Sequence, residues 1–223
     1  MSARDGQMSE LTPDILLRTY AAGIFPMSES ADDPTLFWVD PDRRGILPLE
    51  QFHISRKLQR TLRKNPFEVR CDTAYREVMA RCAACRPERP NTWINSEIIR
   101  LYGGLFDMGH AHSVECWLGN ELVGGLYGVS LAGAFFGESM FSDVTDASKV
   151  ALCHLMARLR RSGYTLLDTQ FVTKHLATFG AIEIPRADYR RMLTQALQVR
   201  TAFYLGALSS DDLTFRQSLT QTS

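Results

Sequence analysis

From His112 to Leu118 apolar positions alternate with polar ones, and the apolar stretch that continues to Phe141 is cut twice by turn dipeptides, Gly119-Asn120 and Ala132-Gly133. Segments joined by so few residues must run antiparallel, so His112–Leu118, the glycine-rich Glu121–Val129 and Ala134–Phe141 read as a three-strand meander. The period then changes. Thr145 or Asp146 opens a helix carrying Val150, Leu152, Leu155, Met156 and Leu159, with Arg158, Arg160 and Arg161 near its end and Gly163 beyond it. Tyr164–Asp168 follows as a short, buried apolar strand. A meander plus a strand-helix-strand unit defines an α+β domain.

On the N-terminal side, Thr12-Pro13-Asp14 supplies a cap, a proline at the first helical position and an early acid, and Gly23 stops the pattern, so residues 13–22 read as a helix. From Phe25 to Pro48 prolines recur at 26, 34, 41 and 48, the pattern of a small irregular domain, which we bound at 1–52 with the main domain at 53–223. Ser55 is placed to cap a helix through Lys64, Thr73 one through about Cys85, and Ser96 one ending near Gly109. Arg86-Pro-Glu-Arg-Pro90 breaks the second of these. Residues 173–179 and 185 to about 197 read as further helices.

Composition excludes several classes. At 45% hydrophobic, the 223 residues can bury a substantial core. No apolar run reaches the roughly 18 residues of a bilayer span, and Met1–Glu10 lacks the apolar centre of a signal peptide, so the expected location is cytoplasmic. An odd count of cysteines, at 71, 82, 85, 116 and 153, argues for thiols rather than a disulfide framework. Cys82-Ala-Ala-Cys85 has metal spacing, but no second ligand pair accompanies it, and packing is the favoured reading; no metal or cofactor is expected. His53, His110, His112, His154 and His175 show no ligand spacing, and Glu115 and Glu121 read as solvated strand faces. Acids and bases balance at 25 each, yet His53–Arg70 holds six bases (Arg56, Lys57, Arg60, Arg63, Lys64, Arg70) against Glu68 alone. That is a patch fit for phosphates, although a solvated amphipathic helix face has the same pattern.

Two segments end apolar strands in groups that handle an amine: Gly137-Glu138-Ser139-Met140-Phe141-Ser142 and Leu166-Leu167-Asp168-Thr169-Gln170. With Gly23-Ile24-Phe25-Pro26, Trp38, Thr92-Trp93-Ile94 and Gly180-Ala181-Ile182-Glu183-Ile184-Pro185-Arg186, they resemble the bacterial leucyl/phenylalanyl-tRNA-protein transferases from about Leu11 to Tyr189. The resemblance implies a GNAT-like acyltransferase fold and transfer of leucine or phenylalanine from aminoacyl-tRNA to proteins beginning with Lys or Arg, marking them for degradation; a monomer without membrane association is the default expectation. Ser142-Asp143-Val144-Thr145-Asp146 has two acids and no glycine, unsuited to a coenzyme-A pyrophosphate, which argues against an acetyltransferase on the same fold.

The chemistry is aminolysis of an activated ester and needs no ATP. An α-amine with a pKa of ~7.7–8.0 has a usable neutral fraction near pH 7, so no strong base is required. Two residues apart on an extended segment, Asp168 and Gln170 face the same way; by resemblance they are the catalytic pair, Asp168 orienting Gln170 and Gln170 drawing a proton from the nucleophile. Local sequence alone favours another reading, in which Asp168 caps a turn and Gln170 is solvated. Glu138, with Ser139, suits a cationic N-terminus, and equally an ion pair with an arginine. Resemblance puts Leu126, Met140, Leu152, Leu155 and Leu167 around a pocket for the leucyl or phenylalanyl side chain, where core packing is the bland alternative. Trp93 is the expected stacking surface for the terminal adenosine. A second aromatic expected after Gly-Ile-Phe-Pro is replaced by Met27, for which Phe37 or Trp38 can substitute, and a family asparagine is replaced by Thr173. Arg56, Lys57, Arg60, Arg63 and Lys64 are assigned to the tRNA acceptor stem. A noncatalytic module that binds tRNA or N-termini would not need the Asp/Gln pair.

Overall fold

A computed structural model describes residues 11–85, 90–209 and 211–215. The Arg86–Pro90 helix break and the Met1–Glu10 segment considered above therefore fall largely or wholly outside the described residues. Nine strands and seven α-helices are described, and seven of the strands form one sheet.

The meander forms as its alternation requires. Ala111–Leu118 (β5), Glu121–Leu131 (β6) and Ala134–Ser142 (β7) pair antiparallel in sequence order. The helix Ala147–Ser162 (α5) then crosses over, and Leu166–Gln170 (β8) returns parallel to β7. Gly163, at φ +79°, supplies the left-handed turn that ends α5. Because α5 is covered on nearly every side, Val150, Leu152, Leu155, Met156 and Leu159 all reach the core, and even Arg158 is buried.

The sequence reading left several strands unrecognised. Glu68–Cys71 (β4) adds to the outer side of β5. The proline-rich stretch holds a two-stranded ribbon, Phe25–Met27 (β1) with Phe37–Val39 (β2), and a strand, Arg43–Ile46 (β3). That last strand inserts between β8 and Ile182–Pro185 (β9), antiparallel to both, and completes a seven-stranded mixed sheet. Each of these strands spans only three or four residues, too short for a legible period.

Pro13–Ala21 (α1) starts where expected, with the Thr12 hydroxyl accepting from the Ile15 amide, and Arg56–Lys64 (α2) starts at Ser55. Two caps differ from expectation. Asn95, not Ser96, caps Ser96–Asp107 (α4), its side chain accepting from the Ile98 amide at 2.8 Å. Tyr75–Ala83 (α3) follows Thr73, but the Thr73 hydroxyl turns to Glu115, and Glu115 itself receives the Ala74 amide at 2.8 Å. Glu115 is thus no solvated residue: it is fully buried, and Ser113 and Trp117 also donate to it. Glu121 is exposed as read. Toward the C-terminus, Lys174–Ala177 (α6) is shorter than expected and Arg186–Ala196 (α7) runs close to the expected span.

None of the five cysteines forms a disulfide, and among the described residues no group of three or more His, Cys, Asp or Glu side chains could hold a metal ion. No helix among them is long and apolar enough to cross a membrane.

Candidate active site

Pairing between β7 and β8 ends at Phe136 and Asp168, although β7 runs on to Ser142 and β8 to Gln170. Past that point the two strands stop sharing hydrogen bonds, and a cleft of about 820 Å³ is lined by residues from both. Each strand also carries an irregularity there. Against β6, Tyr127 faces Ser139 and Gly128 faces Gly137, which leaves Glu138 as the extra residue of a bulge. Against β3, Gly45 faces Gln170 and Ile46 faces Asp168, which leaves Thr169 unpaired. Bulges re-aim side chains, and these two bring Glu138 and Gln170 within reach of one another.

The cleft collects most of the residues singled out from the sequence. Glu138, Ser139, Met140, Leu126, Leu152, Leu155, Leu167, Gln170 and Trp93 all line it. The leucines and Met140 make one wall apolar, and Trp93 is half-buried, its carbonyl accepting from the buried Ser28 hydroxyl at 2.7 Å. Met27 and Phe25 line the cleft as well, whereas Phe37 and Trp38 are exposed and lie outside its lining. Thr173 is at the rim and caps α6, accepting from the Leu176 amide at 3.2 Å.

Asp168 lies apart. It is fully buried, is absent from the cleft lining, and accepts five hydrogen bonds from within the protein. Arg44 Nε donates to Oδ1 at 2.9 Å and Oδ2 at 3.1 Å, and Arg44 Nη2 to Oδ2 at 2.7 Å. The Tyr189 hydroxyl donates to Oδ2 at 2.6 Å, and the Gln170 backbone amide to Oδ1 at 2.8 Å. The extended geometry expected for the Asp168–Gln170 pair does not hold to its end. Gln170 turns to φ +56°, a left-handed conformation uncommon outside glycine, so the two side chains part and Asp168 meets the backbone of Gln170 rather than its side chain.

Three groups converge on Glu138. Oε1 accepts from Tyr20 at 2.6 Å and from Gln170 Nε2 at 3.2 Å, and Oε2 accepts from Tyr102 at 3.2 Å; the two tyrosine hydroxyls also meet one another. Loss of water lifts the Glu138 carboxyl to about 7; Asp168 pushes the same way, while Tyr20, Tyr102 and Arg44 oppose it. Its side chain still reaches the cleft, so the group is desolvated without being sealed. Tyr20 and Tyr102 are both pushed well up, first by burial and then by the Glu138 charge, and stay protonated donors. Burial alone would lower Arg44, but Asp168 more than offsets it and the guanidinium is held above its usual value.

Because carboxylates accept, the contact with Glu138 fixes which end of the Gln170 amide faces it. Nε2 is engaged and Oε1 is left as an acceptor. The cleft lining therefore offers a carboxyl group, an amide carbonyl and the Ser139 hydroxyl together with apolar surface.

Tyr20, Tyr102, Arg44 and Tyr189 escaped the sequence reading, as did Phe171, whose ring is 44% exposed at the cleft. Tyr20 sits four residues after Leu16, and Tyr102 among Ile98, Leu101 and Leu105, so both looked like helix core. The second arginine of Asp42-Arg-Arg-Gly45 leads into Ile46-Leu47, the single signal that it entered the protein. On α2, Arg56, Lys57, Arg60, Arg63 and Lys64 are all exposed and none lines the cleft. Arg70 is spent on Glu68, at 2.8 and 2.9 Å.

A buried polar cluster that opens beside an apolar pocket where two strands part is an arrangement suited to an acyltransferase. Two adjoining family models together cover most of the chain: the leucyl/phenylalanyl-tRNA protein transferase N-terminal domain over residues 9–42, and leucyl/phenylalanyl-tRNA protein transferase over residues 46–194. The chain belongs to this family. A leucyl/phenylalanyl-tRNA–protein transferase of Afipia carboxidovorans is 58% identical over 211 residues, 95% of this chain and 92% of its own. One of Caulobacter vibrioides is 58% identical over 212 residues, covering 95% and 98%.

Proposed function

We propose that the enzyme moves leucine or phenylalanine from its tRNA to the α-amine of proteins beginning with Lys or Arg, in the cytoplasm and as a monomer, giving those proteins a degradation signal. The strand-helix-strand arrangement around the split fits a GNAT-like domain at 53–223 preceded by a small unit at 1–52 that lends β3 to the main sheet. What carries the reading is the Gln170–Glu138 contact in a cleft that also offers apolar surface.

In this reading Leu126, Met140, Leu152, Leu155 and Leu167 take the aminoacyl side chain, Trp93 stacks on the terminal adenine and the α2 bases meet acceptor-stem phosphates. Glu138 draws in the cationic N-terminus, with Ser139 beside it. That ammonium first releases a proton to solvent, and the neutral amine attacks the ester carbonyl while an N–H is held by Gln170 Oε1. A C–N bond forms, the C–O bond to the ribose breaks, and the amine's surplus proton leaves with the ribose oxygen. No ATP or cofactor enters the balance. Asp168 acts behind Gln170.

The test mixes the protein with radiolabelled leucyl-tRNA and a peptide bearing N-terminal arginine, without ATP, beside an Asp168→Ala/Gln170→Ala variant. Label should reach the peptide with the wild-type protein only. Transfer that persists in the variant would move the chemistry away from these residues, and no transfer at all would defeat the substrate assignment.

A further inference from the structure

Gln170 is useful only if its amide points at the cleft, and its backbone is in a conformation that a glutamine does not choose. At φ +56° the chain makes a tight turn in which the Phe171 amide reaches back to the Thr169 carbonyl at 2.6 Å. Such a turn persists only where its surroundings over-determine it. The contact that fixes the Gln170 amide is Asp168 Oδ1, and the orientation of Asp168 is in turn set by Arg44.

We propose that Arg44 is a positioning residue for the transfer reaction, holding Gln170 in its left-handed turn by way of Asp168. This rests on the assignment of Gln170 to the chemistry. The Arg44 side chain is 1% exposed and that of Asp168 0%. The guanidinium uses both edges of its fork: Nε and Nη2 on Asp168, and Nη1 on the Gly23 carbonyl at 3.0 Å. Its plane is held between Phe25 and Tyr189, 4.4 and 4.6 Å from the ring centroids. One side chain therefore ties together the end of α1, which carries Tyr20 to Glu138, the floor of the cleft at Phe25, and the turn at Gln170. Arg44 and Gly45 are also neighbours on β3, and Gly45 is the residue paired with Gln170; a Cβ there would come within 2.7 Å of the Phe171 backbone. A lysine would keep the charge and lose the fork, since an ammonium cannot serve the carboxylate along an edge and Gly23 from a fixed plane.

The experiment measures the single-turnover rate at saturating leucyl-tRNA and peptide, and steady-state KM for each substrate, for Arg44→Lys, Arg44→Met, Tyr189→Phe and Gln170→Ala, each first checked for fold by circular dichroism and thermal midpoint. For folded Arg44→Lys we expect the rate to fall about 10- to 100-fold while KM for either substrate moves less than about threefold, because misplacement harms the reacting geometry and not the pockets. Arg44→Met should fall further, and Tyr189→Phe, which removes one of the five hydrogen bonds to Asp168 and leaves the ion pair, by a smaller factor. A folded Arg44→Lys with the wild-type rate would overturn the inference, as would a rise in KM at unchanged rate. Should both Arg44 variants fail to fold, Tyr189→Phe decides, and a rate equal to wild type would count against it. Gln170→Ala separates the two levels: if it retains full activity the assignment of Gln170 fails, whereas loss there with an unaffected Arg44→Lys sinks only the positioning role.

Discussion

The Gln170 side-chain amide donates to Glu138 across 3.2 Å, joining the ends of two strands that no longer pair with each other. Burial of the same carboxyl lifts it toward neutrality, which makes the ionisation of Glu138 a variable of stability.

The folded protein holds Glu138 at about 7 against a usual 4.5. Between those values the folded state keeps a proton that the unfolded chain has released, so stability falls as pH rises through the window, by at most about 3 kcal/mol once pH exceeds 7. Glu138→Gln removes that penalty. Its thermal midpoint should exceed the wild type's by several degrees at pH 8, and the gap should close toward pH 4.5. Activity moves the other way: kcat/KM for a peptide with N-terminal arginine drops about 10- to 100-fold through loss of the anion. A variant less stable than wild type at pH 8 would show that Glu138 ionises without cost.

The apolar wall sets which side chain fits. Met140 is half-buried on β7, so trimming it opens the pocket without leaving a sealed cavity. Met140→Ala should raise the ratio of kcat/KM for phenylalanyl-tRNA to that for leucyl-tRNA about 3- to 10-fold, the scale of one or two methylenes in an apolar pocket. Competition between the two charged tRNAs at equal concentration reads the ratio directly, and an unchanged ratio would remove Met140 from the pocket.

What was legible in the sequence follows from length of pattern. The meander, α5 and β8 have patterns long enough to read, which places Glu138, Gln170 and the apolar lining on their elements, while their assignment to a site comes from the family resemblance. β3 is four residues between prolines, so nothing disclosed that Arg44 would pair across 124 positions with Asp168. Glu115 failed for a different reason: strand alternation reports which face a residue is on, and cannot report that a helix end lies over that face in need of an acceptor. The one-face geometry expected for Asp168 and Gln170 fails in space, because a bulge and a left-handed residue break the period-two rule at the end of β8.

α2 offers the last test. Arg56, Lys57, Arg60, Arg63 and Lys64 are exposed, and among the described residues none is ion-paired. A helix that keeps five cations unpaired while other arginines find acids suits a partner that brings its own negative charge. Each phosphate contact releases counterions, so log KM for leucyl-tRNA should rise linearly with log salt, and each charge removed should flatten the slope by about 0.7–0.9. Lys57→Ala/Arg60→Ala should therefore raise KM for leucyl-tRNA and reduce the slope by about 1.5, while leaving transfer from leucyl-adenosine, which lacks the acceptor stem, unchanged. A weaker response to leucyl-adenosine as well would place these residues in support of the fold, through Thr61 and its contact with Asp146 at the start of α5, and not on the tRNA.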